Sequence, residues 1–376
     1  MRVLLTGGGT GGHVYPALAI AEIIKMNIPD AEIAFVGTKK GIENKLVPPE
    51  GYRLYHVEIQ GISRSLSPKN IKTAYLILTS PRKAKKIIEE FKPNLVIGTG
   101  GYVCWPLLRA AASMGIPCMV HESNACPGLA VKQVQKSVDV ILTSFKETEE
   151  KLTSKEKVVN VGNPLRLKYE LADKDEARRK LKIPEDVKLT VLSFGGSLGA
   201  KGINDTALSV MESFSSKRDG VIHFHATGSR YFDEFKSALS EKGLTNRENI
   251  RVSDYIYDMP LYMAAADVVI CRAGAMTIAE LAMIGKPAIL IPSPNVTDDH
   301  QYKNAKVIED GGGAILVRED ADMLENVADA LERLYADKSI CESMSCAMAG
   351  FARPDAGKNI YGEIVKLLDR KSKIVE

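Results

Sequence analysis

One pattern recurs along this chain and limits the folds open to it: a short apolar strand, a glycine-rich turn, then a helix. It occurs where Val3-Leu4-Leu5 runs into Gly7-Gly8-Gly9-Thr10-Gly11-Gly12-His13, and where Leu95–Ile97 runs into Gly98-Thr99-Gly100-Gly101-Tyr102-Val103. It returns where Leu189–Phe194 meets Gly195-Gly196-Ser197-Leu198-Gly199-Ala200, and where Val268–Ile270 meets Arg272-Ala273-Gly274. Unbroken Val, Ile and Leu runs fit strands covered on both faces. Alternation of such strands with helices predicts an α/β architecture built on parallel sheets. Glycine in the turns permits φ > 0 and close approach of a ligand to the backbone.

At 376 residues the chain is long enough for two ordinary domains. A net charge of +3 is too small to make nucleic acid a main partner. The six cysteines show neither CxxC nor zinc spacing, so reduced thiols and no metal site are expected. MRVLLTGGG has too short an apolar run for a signal peptide, and no stretch approaches the ~18 apolar residues of a membrane span. A soluble or peripheral protein is expected.

Each turn gathers candidate ligand groups. The stretch Cys271–Ala305 reads as strand, turn, a helix from Ala275 stopped by Gly285-Lys286-Pro287, a short strand Ala288–Ile291, and a polar loop. A helix start at Ala275-Met276-Thr277 suits a phosphate. Glu280 would repel phosphate, so its natural partner is a neutral diol such as a ribose. The loop Pro294–Tyr302 offers Asn295, Thr297, Asp298, Asp299, His300 and Gln301 at a strand's C-terminal end, where open α/β sheets bind ligands. In the first half, Gly7, Gly9 and Gly12 satisfy G-x-G-x-x-G between a strand and a helix expected over Ala17–Lys25. The second strand, Glu32–Val36, ends in Gly37-Thr38-Lys39-Lys40 where an acidic residue would hold an NAD ribose, which leaves an NADP enzyme as an alternative. A strand Pro117–Val120 is followed by His121-Glu122-Ser123-Asn124, and His121 reads as a structural hydrogen-bonder. Asp173-Lys174-Asp175 and Asp320-Ala321-Asp322 precede helices and read as caps, not metal ligands.

Between residues 60 and 90, Ile71, Ala74, Tyr75 and Leu78 recur at helical spacing among Lys69, Lys72, Arg82, Lys83, Lys85 and Lys86. Such a helix can rest on an anionic membrane, or it can be an ordinary amphipathic helix with a solvated basic end.

GGGTGGHVYPALAIA at 7–21, GTGGYVCWP at 98–106, HESNACPGLA at 121–130, GNPLR at 162–166, GGSLGAKGIN at 195–204 and CRAGAMTIAEL at 271–281 together resemble glycosyltransferase family 28. The resemblance spans nearly the whole chain. It implies a GT-B fold, two Rossmann-like domains with parallel sheets facing across a cleft. The expected divisions are an N-terminal acceptor and membrane-facing domain over 1–163, a UDP-GlcNAc-binding domain over 164–346, and a C-terminal helix over 347–376 packing back on the first domain. The implied reaction is inverting transfer of N-acetylglucosamine from UDP-GlcNAc to the C4 hydroxyl of MurNAc in undecaprenyl-diphospho-MurNAc-pentapeptide (lipid I), giving lipid II for peptidoglycan. The implied place is the cytoplasmic face of the cell membrane, as a peripheral protein. An anionic membrane surface and proteins of cell-wall synthesis and division are the implied partners.

By the same resemblance, Arg166 and the Ile256 backbone lie near uracil, and Glu280 takes the ribose hydroxyls. Ser197 and the segment Ala275, Met276, Thr277, Ile278 and Ala279 hold the diphosphate, while His300 and Gln301 reach the sugar. Thr10, Gly11, Gly12 and Asn124 close on the donor, and Gly9, Gly100, Gly101 and Tyr102 cradle the acceptor diphosphate. Departures are His300, where some relatives have Gln, and Cys126-Pro127 after the Asn. A general base should titrate near neutrality; His13 is the first candidate and Glu122 the second, with phosphate or sugar hydrogen bonding the other role open to His13. Helix dipole and amides would stabilise the leaving UDP, so no cofactor or metal is expected. A UDP-GlcNAc 2-epimerase, another UDP-sugar:lipid transferase and a non-catalytic nucleotide-sugar sensor are rival readings.

Overall fold

The computed structural model describes residues 1–60, 69–296 and 299–375. The chain divides into two compact units, Met1–Arg166 with Arg353–Glu376, and Leu167–Ala352.

Among the described residues, the first unit holds a parallel seven-stranded sheet: β1 (Arg2–Thr6), β2 (Glu32–Gly37), β3 (Arg53–His56), β4 (Leu95–Gly98), β5 (Cys118–Glu122), β6 (Val140–Thr143) and β7 (Val158–Asn160). Their spatial order is β3-β2-β1-β4-β5-β6-β7. The sequence order therefore reverses between β1 and β4. That is the topological switch point, where loops after the two central strands diverge to opposite faces and leave a crevice. β1 and β4 pair Val3 with Leu95, Leu4 with Val96 and Leu5 with Ile97, all six side chains buried, before Thr6 meets Gly98 at the strand ends.

The second unit repeats the plan. β8 (Leu189–Phe194), β9 (Val221–Ala226), β10 (Ile250–Ser253), β11 (Val268–Cys271), β12 (Ala288–Leu290) and β13 (Ala314–Leu316) form a parallel sheet ordered β10-β9-β8-β11-β12-β13. Its switch point lies between β8 and β11. All four glycine turns found in the sequence thus follow the strands that flank the two switch points.

The last helix, Ala356–Val375, belongs to the first unit. Ile360, Ile364 and Leu367 recur on one helical stripe and are buried in the same core as Val14, Ala17 and Ile20 of the helix Gly11–Asn27.

Several elements differ from the sequence reading. The first helix starts at Gly11, six residues before Ala17, and carries Pro16 inside it. His121 and Glu122 are not past the strand but in it, pairing with Leu142 and Thr143. His300 and Gln301 form the first turn of a helix, His300–Asp310, and not a loop. Thr297 and Asp298 lie outside the described residues, as do the side chains of Lys69, Ile71, Lys72 and Ala74.

Candidate functional site

In the first unit the two turns at the switch point pack on each other. Gly100 and Gly101 hold φ of +106° and +79°, and a Cβ on Gly101 would sit 2.1 Å from the Gly8 carbonyl oxygen. Only glycine fits there. The Thr99 hydroxyl donates to the His13 carbonyl at 2.6 Å, locking the second turn to the first helix. Tyr102, a third exposed, lays its ring over Gly9.

His13 sits between these turns, partly buried. Its Nδ1 is 3.1 Å from the Gly8 carbonyl oxygen and 3.2 Å from the Thr10 hydroxyl. A carbonyl can only accept, so Nδ1 carries the proton and Nε2 of the neutral ring keeps a lone pair. The ring is held at its Nδ1 edge against the first turn.

Glu122 is differently placed. Oε1 accepts from the Asn124 N–H at 2.9 Å and the Asn124 side-chain amide at 3.0 Å, while Oε2 accepts from the Gly128 N–H at 2.7 Å. The carboxylate folds its own loop and fixes Asn124. His121 is fully buried, its Nε2 3.0 Å from the Gly162 carbonyl oxygen. Burial pushes it down to about 4, so it stays neutral and tethers β5 to the segment after β7.

Two amides given to the acceptor diphosphate are engaged within the protein. The Gly9 N–H turns inward to Glu43 Oε2 at 3.4 Å, and the Gly100 N–H meets Cys104 Sγ at 3.2 Å. Burial pushes the Cys104 thiol up to about 12, so it remains a neutral pin beneath the turn. The helix Gly11–Asn27 opens alongside with Gly12 exposed, and its first intrahelical bonds run to the Thr10 carbonyl from His13 and Val14.

Arg166 belongs to the first unit and is committed there. Its Nη1 and Nη2 grip Glu50 at 2.6 and 2.9 Å, and Nε takes Glu22 at 3.1 Å. A bidentate pair plus a second carboxylate fixes the fork firmly. Resemblance gives Arg166 a place near uracil; within the first unit its guanidinium is engaged by Glu50 and Glu22.

In the second unit the turn after β8 brings Gly199, at φ +74°, against the Thr227 carbonyl, with Ser197 partly exposed beside it. The turn after β11 leads to the helix Ala275–Ile284, which ends on Gly285 in the left-handed conformation. The first intrahelical bond runs from the Ile278 N–H to the Gly274 carbonyl at 2.9 Å. Helix geometry therefore aims the Met276 and Thr277 amides out of the helix start, the arrangement that receives phosphate. Ile278 offers neither its amide nor its side chain, which is buried in the core. Ile256 also buries its side chain, leaving its backbone as the part able to meet a base.

Glu280 lies one turn beyond the helix start. Tyr169 hydrogen-bonds it and Lys168 draws it down, but burial outweighs both and pushes it up to about 7. Gln301 Oε1 accepts from the Ser293 N–H at 2.9 Å, and Asn304 on the same helix donates to the Ala273 carbonyl at 3.3 Å. That second bond ties the helix His300–Asp310 to the turn preceding Ala275. Arg272 adds to the brace by donating to the Ile291 carbonyl at 3.1 Å and pairing with Glu319.

Sequence reasoning did not find Glu43, Thr99, Tyr169 or the Arg272–Glu319 pair. Each acts through a partner distant in sequence, and only the clustering of Gly37 and Gly41 around Glu43 was there to be noticed. Among the described residues no three His, Cys, Asp or Glu groups are arranged to hold a metal, and no helix is long and apolar enough to cross a membrane.

The glycosyltransferase family 28 N-terminal domain matches residues 3–143, and the family 28 C-terminal domain matches residues 190–360. The UDP-N-acetylglucosamine--N-acetylmuramyl-(pentapeptide) pyrophosphoryl-undecaprenol N-acetylglucosamine transferase of Acetivibrio thermocellus is 41% identical over 97% of this chain and 98% of its own length. The protein of the same name from Clostridioides difficile is 40% identical over 99% of this chain and 90% of its own length. The crystal structure of Acinetobacter baumannii MurG matches with a TM-score of 0.73 at 27% identity, covering 97% of this chain and 99% of that one. Two parallel-sheet units with these turns are the GT-B class, and the chain belongs to glycosyltransferase family 28.

Proposed function

We propose that this chain moves N-acetylglucosamine from UDP-GlcNAc to the C4 hydroxyl of MurNAc in undecaprenyl-diphospho-MurNAc-pentapeptide, with inversion at the anomeric carbon. The observation that carries the reading is in the second unit, where the outward amides of Met276 and Thr277 stand one turn from Glu280. An anion site beside a diol-binding carboxylate matches a nucleoside diphosphate. The relatives named for this transfer cover nearly the full chain.

His13 acts as the base. Nε2 takes the C4 hydroxyl proton as the oxygen attacks the anomeric carbon, while the Gly8 carbonyl holds Nδ1–H and steadies the imidazolium that forms. Glu122, saturated by its own loop, holds Asn124 for the donor sugar. Charge released onto the departing UDP meets the amides and dipole of the helix Ala275–Ile284 and the turn at Ser197. In this reading no metal takes part in leaving-group stabilisation.

The helix Lys69–Phe91 supports a peripheral role at a membrane surface, which we place at the cytoplasmic face as part of this reading. Tyr75 and Leu78 are 65% and 74% exposed, and Arg82, Lys83 and Lys86 stand exposed on the same helix. Exposed apolar groups beside cations suit an anionic lipid surface. The test is product analysis after incubating the enzyme with labelled UDP-GlcNAc and a lipid-linked MurNAc acceptor. A β-1,4-linked disaccharide lipid is expected; label recovered only as free sugar or an epimerised nucleotide sugar overturns the reading.

A further inference from the structure

A carboxylate lies beneath the first glycine turn, outside the set of groups assigned to substrate. Glu43 is 1% exposed. Its Oε1 accepts from the Thr38 N–H at 2.6 Å and the Thr38 hydroxyl at 2.9 Å, and its Oε2 accepts from the Gly9 N–H at 3.4 Å. None of these donors is a cation. The backbone is built around this group: a Cβ on Gly41 would fall 2.1 Å from its oxygens, one on Gly37 would fall 2.4 Å from its Cγ, and one on Gly8 would fall 3.1 Å from Oε1.

The Gly9 N–H and the Gly8 carbonyl belong to one peptide group. The carbonyl end of that peptide holds His13 Nδ1 at 3.1 Å. A single amide therefore donates to a buried carboxylate at one end and accepts from the imidazole at the other. Hydrogen bonds in such a chain polarise one another, and a low-dielectric interior strengthens the effect. A carboxylate bonded to a histidine's Nδ1–H fixes tautomer and orientation and favours the imidazolium; here a peptide stands between them.

We propose that Glu43 is a positioning residue for the base: its carboxylate, the Gly8–Gly9 peptide and the His13 imidazole form one relay that orients His13 and strengthens Nε2 as a proton acceptor. The inference rests on the reading of His13 as the base. Among the described residues, titratable side chains near these turns include Tyr102 over Gly9, Cys104 beneath Gly100, and Glu122, whose field reaches Cys104.

The test uses the full chain. Nitrogen NMR of labelled histidine in the unaltered enzyme reports the His13 tautomer, and kcat against pH is measured with UDP-GlcNAc and a lipid I analogue for Glu43→Gln, Glu43→Asp and His13→Ala. Neutral His13 is expected as the Nδ1–H form. Glu43→Gln should lower kcat roughly 10- to 100-fold, part of the ~10²–10⁴ a positioned base supplies, with KM for UDP-GlcNAc within about twofold. Loss of the carboxylate disfavours the imidazolium, so the His13 titration and the acid limb of kcat should both move to lower pH, by about half a unit. Glu43→Asp keeps the charge and should fall between. An Nε2–H tautomer in the unaltered enzyme overturns the relay, and that result stands even if Glu43→Gln fails to fold. A fall in kcat with the His13 titration unmoved also overturns it, because a merely structural role gives that. Full turnover in His13→Ala sinks the base assignment itself, whatever Glu43→Gln shows.

Discussion

The imidazole of His13 lies so close to Gly100 that a Cβ on Gly100 would come within 2.5 Å of Cδ2 and 3.0 Å of Nε2. The backbone at Gly100, with φ +106°, adds its own objection to a side chain. Gly100→Ala should therefore push the ring off its seat. A displacement on the order of 1 Å at a catalytic group costs about 10²-fold. The expected result is a turnover loss of that order with UDP affinity little changed, because Ser197, Met276, Thr277 and Glu280, read as holding the diphosphate and ribose, lie in the second unit. Steady-state kinetics alongside calorimetric titration with UDP checks both halves.

Glu280 predicts a pH-dependent donor affinity. Its carboxyl is held near 7 by burial, so it is largely neutral at pH 6 and largely ionised at pH 8. Only the ionised form accepts strongly from both ribose hydroxyls. UDP affinity should rise from pH 6 to pH 8 more steeply in the unaltered enzyme than in Glu280→Gln. At pH 8 the variant should bind roughly tenfold more weakly, equivalent to about 1.4 kcal/mol. Calorimetric titrations with UDP at both pH values decide this, and parallel curves for the two proteins would remove Glu280 from the ribose.

Acid should destabilise the fold through its buried histidines. Burial pushes His223 and His225 down to about 3 and His121 to about 4. The Ser193 hydroxyl bridges His223 Nε2 and His225 Nδ1 at 2.8 Å each, a network built for neutral rings. The unfolded chain titrates near 6.5, so it binds more protons than the native state between about pH 4 and 6.5. Stability is then present above pH 6.5 and is lost as pH falls, by up to about 1.4 kcal/mol per pH unit for each ring. Glu280 acts in the opposite sense between about 4.5 and 7, where the native state holds the extra proton. Three rings outweigh one carboxyl. Urea midpoints at pH 5 and pH 7 should show the lower value at pH 5.

Charge reversal on the basic helix should weaken lipid binding. Each cation near an anionic surface contributes about 1 kcal/mol. Lys83 pairs with Glu58 at 2.6 Å, with both groups about half exposed, so that pair holds it only weakly. Lys83→Glu with Lys86→Glu should lower co-sedimentation with anionic vesicles at least tenfold, and restoring binding with salt-free buffer should be partial. Equal co-sedimentation of variant and parent would leave this helix merely solvated.

The central strands of both sheets were legible because burial on two faces writes a continuous apolar run, as in Val268–Cys271. Their glycine turns were legible because positive φ selects glycine at Gly100, Gly101 and Gly199. The edge strand β3, Arg53-Leu54-Tyr55-His56, was not, since one exposed side lets charge into it. The first helix begins early because Gly11 and Gly12 adopt helical geometry against their propensity, so the chain alone pointed to Ala17. Arg166 shows the limit most plainly. Its partners Glu22 and Glu50 lie 144 and 116 residues away, and no local pattern announces them. Glu43 was hidden because Gly9, 34 residues before it, meets the carboxylate only once the first turn folds over it.

The central claim is that the second unit holds the nucleotide sugar and the first unit supplies a base for an incoming hydroxyl. UDP release from UDP-GlcNAc, followed with and without a lipid I analogue, tests it most directly. The account predicts rapid release with the acceptor, near-zero release without it, and loss of the acceptor-dependent rate in His13→Ala. Equal release in the absence of acceptor, or no release in its presence, would contradict it.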